Sequence, residues 1–354
     1  RRSDVKTVSF VRVLVGCAAV ASIPFAGSVA LAHGGDEMVE RTTSERNAGS
    51  GPSGQAQREE GGGEGSEGPV TLSLDLVLGW GKAPFAVQNL PTTGTQAITY
   101  TVGGATPADV QSFILAGSVE VARNVAFGVR LPVTFATFSP DGSAARSTSS
   151  FGNIELEAEW ATRFALTSAS TLSVVGTLGV ALPTAQGDEI PPDLTRRDAS
   201  AVDVNAYDRF SLSRAASMAR GDEDGALFEP NRLGIVPKIA AVYRGPRLSI
   251  EPSIKVENLL GTSSSLDAPY IGEIVPAVRL GYRVRRVAEL TLRAWANVRF
   301  AAPSADRTTS AAVEPGITLR FGTVLPYAGV ILPVSGLPSD NSFLGIRLGI
   351  AAAF

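Results

Sequence analysis

From residue 70 onward the chain repeats one pattern: runs of mostly 10–14 residues in which every second side chain is apolar. In VTLSLDLVLGW (70–80), Val70, Leu72, Leu74, Leu76, Leu78 and Trp80 form one set. In FGNIELEAEWATRF (151–164), Ile154, Leu156, Ala158, Trp160 and Phe164 alternate with Asn153, Glu155, Glu157, Glu159 and Arg163. RLSIEPSIKVEN (247–258) and AELTLRAWANVRF (288–300) behave alike. A period of two belongs to a β-strand with two unlike faces. Similar strands are expected near 112–122, 125–138, 170–182, 232–244, 270–284, 310–321, 324–333 and 342–354, about twelve in all. Strands of soluble domains run to ~5–6 residues, whereas crossing a bilayer takes ~9–11.

The connections alternate between long and short. Segments 81–111, 139–150, 183–231, 259–269 and 301–309 are long; 123–124, 165–169, 245–246, 285–287 and 322–323 are short. Outer-membrane barrels have tight turns on one side and long loops on the other, and a soluble sandwich has no reason to keep that order. The expected fold is an all-β transmembrane antiparallel barrel of the bacterial outer membrane, occupying residues 69–354. Aromatic residues support it: Phe164, Tyr243, Tyr282, Phe321 and Phe354 mark one set of strand ends, Trp80, Phe113, Phe135 and Phe300 the other, as two interfacial girdles would. Against it stand Pro132, Pro237, Pro252, Pro276, Pro315 and Pro326, each inside an expected strand and each lacking a ladder donor. Bulges or interruptions are expected there.

The two ends carry targeting information. Residues 1–32 read as a cleaved signal peptide: Arg1, Arg2, Lys6 and Arg12 precede an apolar core, and Ala30-Leu31-Ala32 fits a cleavage site. The alternative is a lipoprotein signal at Leu14-Val15-Gly16-Cys17, although the residues after Cys17 stay apolar. Removing residues 1–32 takes away four positive charges and one negative, moving the formal net charge from −3 to −6. Residues 33–68, rich in Gly, Ser and Glu, form an expected disordered linker. The final SFLGIRLGIAAAF ends on Phe354, resembling the carboxy-terminal strand by which outer-membrane barrels are handed to the barrel-assembly machinery. A pI near 5.5 argues against a nucleic-acid partner, and a single Cys excludes an internal disulfide.

With the apolar set facing lipid, the charges face a lumen. The early strands contribute an acidic wall of Asp75, Glu120, Glu155, Glu157 and Glu159, with Arg130 and Arg163 among them. The late strands contribute a basic wall of Arg279, Arg283, Arg293, Arg299, Arg320 and Arg347, interspersed with Glu273, Glu289 and Glu314. Two arrangements fit. Either the walls brace one another and fill the barrel, or they line a water-filled pore whose transverse field aligns polar or zwitterionic solutes. Trp295 is the one obvious stacking surface. Enzymatic chemistry is not expected, because the sole His, His33, precedes the barrel, and no cofactor or metal site is expected. The long segment 183–231 contains GDEIPPD (187–193), an apolar-periodic FSLSRAASMAR (210–220) and GDEDG (221–225). Its default reading is a solvated surface loop, with an inward-folded constriction as the alternative; the acidic spacing matches no calcium loop.

FGNIELEAEW followed by TLSVVGTLGVALPTAQGD (171–188) resembles a region of a family of bacterial outer-membrane transporters associated with aromatic-compound (MetA-type phenol) degradation. Phe151-Gly152 and Leu182-Pro183-Thr184 carry the likeness; Asn153 stands where that group has an acid, and Ala185 where it has Gly. The resemblance covers about forty residues and implies an outer-membrane barrel for passive uptake. The expected function is passage of small solutes through a narrow charged lumen. The alternative is a closed structural or adhesive barrel whose external loops bind a partner.

Overall fold

The computed structural model describes residues 70–89, 99–122, 124–140, 144–167, 169–188, 204–263, 266, 268–285, 287–301, 309–321 and 323–354. The expected signal peptide and linker, Cys17 and His33 lie outside them. The strands are β1 (Val70–Asn89), β2 (Thr99–Ala122), β3 (Val125–Phe138), β4 (Arg146–Phe151), β5 (Glu155–Thr167) and β6 (Ser170–Ala181). They continue as β7 (Arg232–Arg244), β8 (Leu248–Gly261), β9 (Tyr270–Arg285), β10 (Ala288–Ala301), β11 (Thr309–Leu319), β12 (Val324–Ser335) and β13 (Leu344–Ala353). The helices are α1 (Val204–Ala219), α2 (Gly225–Phe228) and α3 (Leu337–Asp340). No helix among the described residues is long and apolar enough to cross a membrane.

The sheet closes on itself through an antiparallel β1–β13 ladder, Thr71 opposite Ala353 through Trp80 opposite Leu344. The Phe354 amide donates to the Val70 carbonyl at 2.9 Å. The thirteen segments make twelve wall strands, because β4 and β5 share one: β4 pairs with the upper part of β3 and β5 with its lower part. The pattern of alternation is realised as expected. Leu156, Trp160, Leu290, Leu292 and Ile350 face outward and are exposed, while Asp75, Glu155, Glu314 and Arg347 on the other face are buried. Phe164, Tyr282, Phe321 and Phe354 stand exposed near the short-turn rim, and Trp80, Phe135 and Phe300 near the opposite one.

Three expectations on extent are corrected. Residues 81–111 are largely not a loop, since β1 and β2 run on as a long hairpin with one register shift at Ala83/Phe85. Residues 139–150 are not wholly loop either, because β4 occupies part of them. The strand expected over 151–164 begins only at Glu155, and Gly152-Asn153-Ile154 forms a break. Pro132 explains where the break falls. Its carbonyl accepts from Gly152 at 2.9 Å, so its missing donor also points at the seam between β4 and β5. The other prolines follow the same rule: each keeps one ladder and interrupts the other. The β7–β8 register skips the residues around Pro237 and Pro252, β9–β10 skips Pro276, and β11–β12 skips Pro315 and stops before Pro326.

The largest correction concerns 183–231. Of its described residues, 183–188 and 204–231, the second run is not a surface loop but a plug that descends into the barrel, which is the inward-folded alternative. Leu212, Ala215, Ala216 and Ala219 of α1 join Val77, Val110, Phe138, Trp295 and Ile331 of the wall in one apolar cluster. Small wall residues let the helix come so close. A Cβ on Gly79 would lie 2.4 Å from the Ala219 Cβ, and one on Gly345 would lie 2.5 Å from the Ala219 carbonyl oxygen. The chain then turns at Gly221, whose φ of +67° suits glycine. Gly79→Val therefore leaves the barrel able to form but drives the plug off the wall. Unheated and boiled samples should still migrate differently on a denaturing gel, while trypsin gains cleavage after Arg214 and Arg220 that wild type resists.

Candidate functional site in the barrel lumen

The plug ends in Arg220-Gly221-Asp222-Glu223-Asp224, and these residues reach both walls. Arg220 is fully buried: its guanidinium donates to Asp75 at 2.6 Å, to the Ser112 hydroxyl at 3.0 Å and to the Ser112 carbonyl at 3.2 Å. Glu223 accepts from both terminal nitrogens of Arg293, one at 2.9 Å, and from Arg347 at 3.3 Å. Asp224 accepts from Arg130 at 3.1 Å. One cation of the plug thus meets the acidic wall, and its adjacent carboxylates meet the basic wall and Arg130. Charge-assisted and bidentate bonds of this kind are the strong ones. Burial alone would raise the Glu229 carboxyl, but Arg214, Arg299 and Arg232 bring it down instead to about 2. Its bonds from Arg214 and Arg299 measure 2.8 and 2.7 Å.

Neutral bonds complete the plug's seat. Asn153, at the break between β4 and β5, donates from its amide to the carbonyls of Ala226 and Glu229 at 2.9 and 2.8 Å. Its side-chain oxygen accepts from the Ala185 amide at 2.9 Å, and its backbone amide donates to the Leu227 carbonyl at 2.8 Å. Thr184 ties the same seam, donating to the Gly152 carbonyl at 2.7 Å and accepting from the Ile154 amide at 2.9 Å. Phe151-Gly152 and Leu182-Pro183-Thr184 are therefore the two sides of one knot. The Asn side chain in it has two donors an acid would lack.

The expected wall residues divide by height. Asp75, Glu155, Arg293, Arg299 and Arg347 sit at or above the plug tip and bond the plug or its direct partners; Glu155, for example, accepts from Arg130 at 2.9 Å. Glu120 and Glu159 lie on either side of Ala126 in the ladders, nearer the short turns. Glu157 is 3.9 Å from Arg130. Arg283, Glu289 and Thr318 form another low row, and Arg320 donates to Glu289 at 2.8 Å. Trp295 is not an open stacking surface: it is 3% exposed and donates to the Gly221 carbonyl at 2.9 Å, so the plug covers it. GDEDG serves the wall's cations, and no group of three metal-ligating side chains occurs among the described residues.

Sequence reasoning missed Asn153, Arg220 and the central pair Lys255 and Glu257, whose charges meet at 2.6 Å; Glu257 also accepts from the Ala226 amide at 2.7 Å. The visible signal was Lys255 and Glu257 on the polar face of 247–258, which the two-wall grouping left out. Beneath the tip lie two cavities of about 90 and 50 Å³. They share Lys238, Ser253, Ala277 and Arg293 and so form one chamber facing the short-turn side.

No family model matches the chain, and no curated protein matches it in sequence. Among solved structures it is similar to an outer-membrane channel from Pseudomonas putida F1, with 13% identity, a TM-score of 0.51, and coverage of 84% of this chain and 100% of that one. The β-domain of the Bordetella autotransporter BrkA has 11% identity and a TM-score of 0.42, covering 81% of this chain and 100% of that one. The translocator domain of the autotransporter NalP from Neisseria meningitidis has 12% identity and a TM-score of 0.37, covering 90% and 96%. The first of these likenesses extends to the barrel fold.

Two outcomes follow from the seat of the plug. Asn153→Ala leaves two buried carbonyls and one amide without their partner, each costing ~1–3 kcal/mol. Trypsin should then cut at Arg214 and Arg220 in a barrel that still shows heat-modifiable migration. The depressed Glu229 pKa means that its pairing with Arg299 of the wall is complete above the ordinary carboxylate range and is lost as pH falls through about 2. Tryptophan fluorescence at stepwise lower pH should therefore show the surroundings of Trp295, which the plug covers, unchanged through pH 4 and altered toward pH 2.

Proposed function

We propose that the protein is an outer-membrane channel for small polar solutes whose lumen is closed by the segment 204–231 and opens when that segment is displaced. The observation that carries this reading is the plug itself. The wall's interior face presents water-compatible charge, and a separate, removable piece of chain neutralises it. An eight-strand barrel is filled by its own side chains, and sixteen or more strands leave an aqueous channel. Here twelve strands leave a space that α1 and the tip occupy, with a polar chamber already present below them. Placement in the bacterial outer membrane, export by the amino-terminal signal and assembly through the strand ending at Phe354 accord with that role. Glu120, Glu157 and Glu159 on one side and Arg279, Arg283 and Arg320 on the other would line the passage; the remaining wall charges would join them once the plug leaves. The resemblance to the aromatic-compound transporter group supports uptake, but the lumen's charge favours polar solutes over bare aromatic ones.

Complete ion pairing of the plug also suits the rival reading, a permanently closed barrel acting through its outer loops. Planar-bilayer recording of the refolded chain separates the two. Glu223→Gln with Asp224→Asn leaves Arg293, Arg347 and Arg130 without their plug partners; breaking a buried pair from one side costs ~3–5 kcal/mol. The variant should open at least tenfold more often than wild type. Silence from a correctly folded variant would establish the closed barrel instead.

A further inference from the structure

The lower lobe of the chamber contains two threonine hydroxyls without a partner among the described residues and a guanidinium held by long ion pairs. Arg279 lies directly opposite Arg293 in the β9–β10 ladder. Arg293 turns to the plug and is engaged by Glu223. Among the described residues Arg279 faces Glu251 at 3.5 Å and Glu289 at 3.9 Å, both beyond hydrogen-bond length. Glu289 is already engaged, accepting from Arg320 at 2.8 Å and from Ser249 at 3.2 Å. Thr291 and Thr318 line the same lobe from β10 and β11. They are 7% and 6% exposed, and neither hydroxyl has a hydrogen-bond partner among the described residues. Buried polar atoms in folded proteins are nearly always satisfied, so two orphan hydroxyls beside an underused guanidinium ask for a common acceptor.

The donor set defines that acceptor. A guanidinium presents a planar fork matched to a carboxylate, and the threonine hydroxyls add single donors at its side. The lobe's lining holds four basic and three acidic side chains. Of the acids, Asp75 accepts from Arg220 and Glu314 from Arg347; the third, Glu251, stands 3.5 Å from Arg279, a loose pair that leaves the guanidinium fork without a close carboxylate. We infer that Arg279, Thr291 and Thr318 form a subsite for the carboxylate of a small organic anion or amino acid. This deepens the passage reading above, on which it rests, by naming the solute class. The subsite lies below the plug, so a solute released from the upper lumen would dwell there before leaving by the short-turn side.

The test is a fluorine NMR titration of the refolded full chain in detergent, with trifluoroacetate as probe and trifluoroethanol as its neutral counterpart. Trifluoroacetate should shift saturably and trifluoroethanol should not, and Arg279→Gln should weaken binding at least tenfold. Thr291→Val with Thr318→Val, which preserves shape, should weaken it severalfold and serves equally if the Arg279 variant fails to fold. Equal affinity in wild type and the variants, or equal binding of the alcohol, overturns the subsite. The titration requires no conduction, so a silent bilayer with intact trifluoroacetate binding sinks the passage reading alone. A conducting channel blind to trifluoroacetate sinks the subsite alone.

Discussion

Charge buried inside a narrow barrel has to be compensated at close range, and the rest of the molecule depends on how that is done. Asp75 and Arg347 are nearly fully buried, and an unpartnered ion in such a place carries a penalty of several kcal/mol. The wall itself satisfies part of the demand: Arg347 of β13 donates across β12 to Glu314 of β11 at 2.8 Å. The remainder is met by a peptide that enters from the long-loop side carrying both signs of charge in five residues. Arg220 goes to one wall, Glu223 to the other and Asp224 to Arg130. The two walls touch directly where Arg347 stands 3.5 Å from Asp75, and the plug adds a further partner to each.

The backbone is arranged around the same requirement. Pro132 leaves a donorless point in the β3 ladder, and there the wall strand breaks and Asn153 turns inward to hold the plug's carbonyls. Glycine at 79 and 345 gives up side-chain volume where Ala219 must lie against the wall. The chain thus spends ladder hydrogen bonds and packing at a few places to seat one inserted segment.

Much of the barrel was legible because its cause is local. A strand between lipid and a polar lumen must alternate, so 70–80 and 288–300 announce their faces residue by residue, and the short turns announce the topology. The plug was legible as an alternative, an inward-folded 210–220, but not its seat, because its partners are remote: Arg220 meets Asp75 across 145 positions. Its helix is also buried on nearly all sides by small residues such as Ser211, Ser213 and Ala215. Such a helix has no wet face to set against a dry one, and its composition passes for that of a loop. The β4–β5 break was hidden for a different reason. Asn153 fits the polar phase of the alternation whether or not the chain is extended there. The polar face of 247–258 was visible, but what Lys255 and Glu257 meet depends on the plug.

The two parts of the structure differ in what would be lost by moving them. The wall is held by backbone ladders, interrupted at the prolines and at the β4–β5 break, in a medium with no water to replace them, so it does not open. The plug is held by the apolar packing of α1 and by ion pairs at its tip, and the pairs lose less on separation when water follows into the space, because both partners are rehydrated together. Buried pairs gain little net stability over solvated ions, although either partner left alone in a dry lumen is costly. In the channel reading proposed above, displacement would be favoured only as a concerted event, with Arg220, Glu223 and Asp224 leaving as water enters. A segment bearing both signs of charge, seated on walls of both signs, would couple its own exit to the wetting of the lumen.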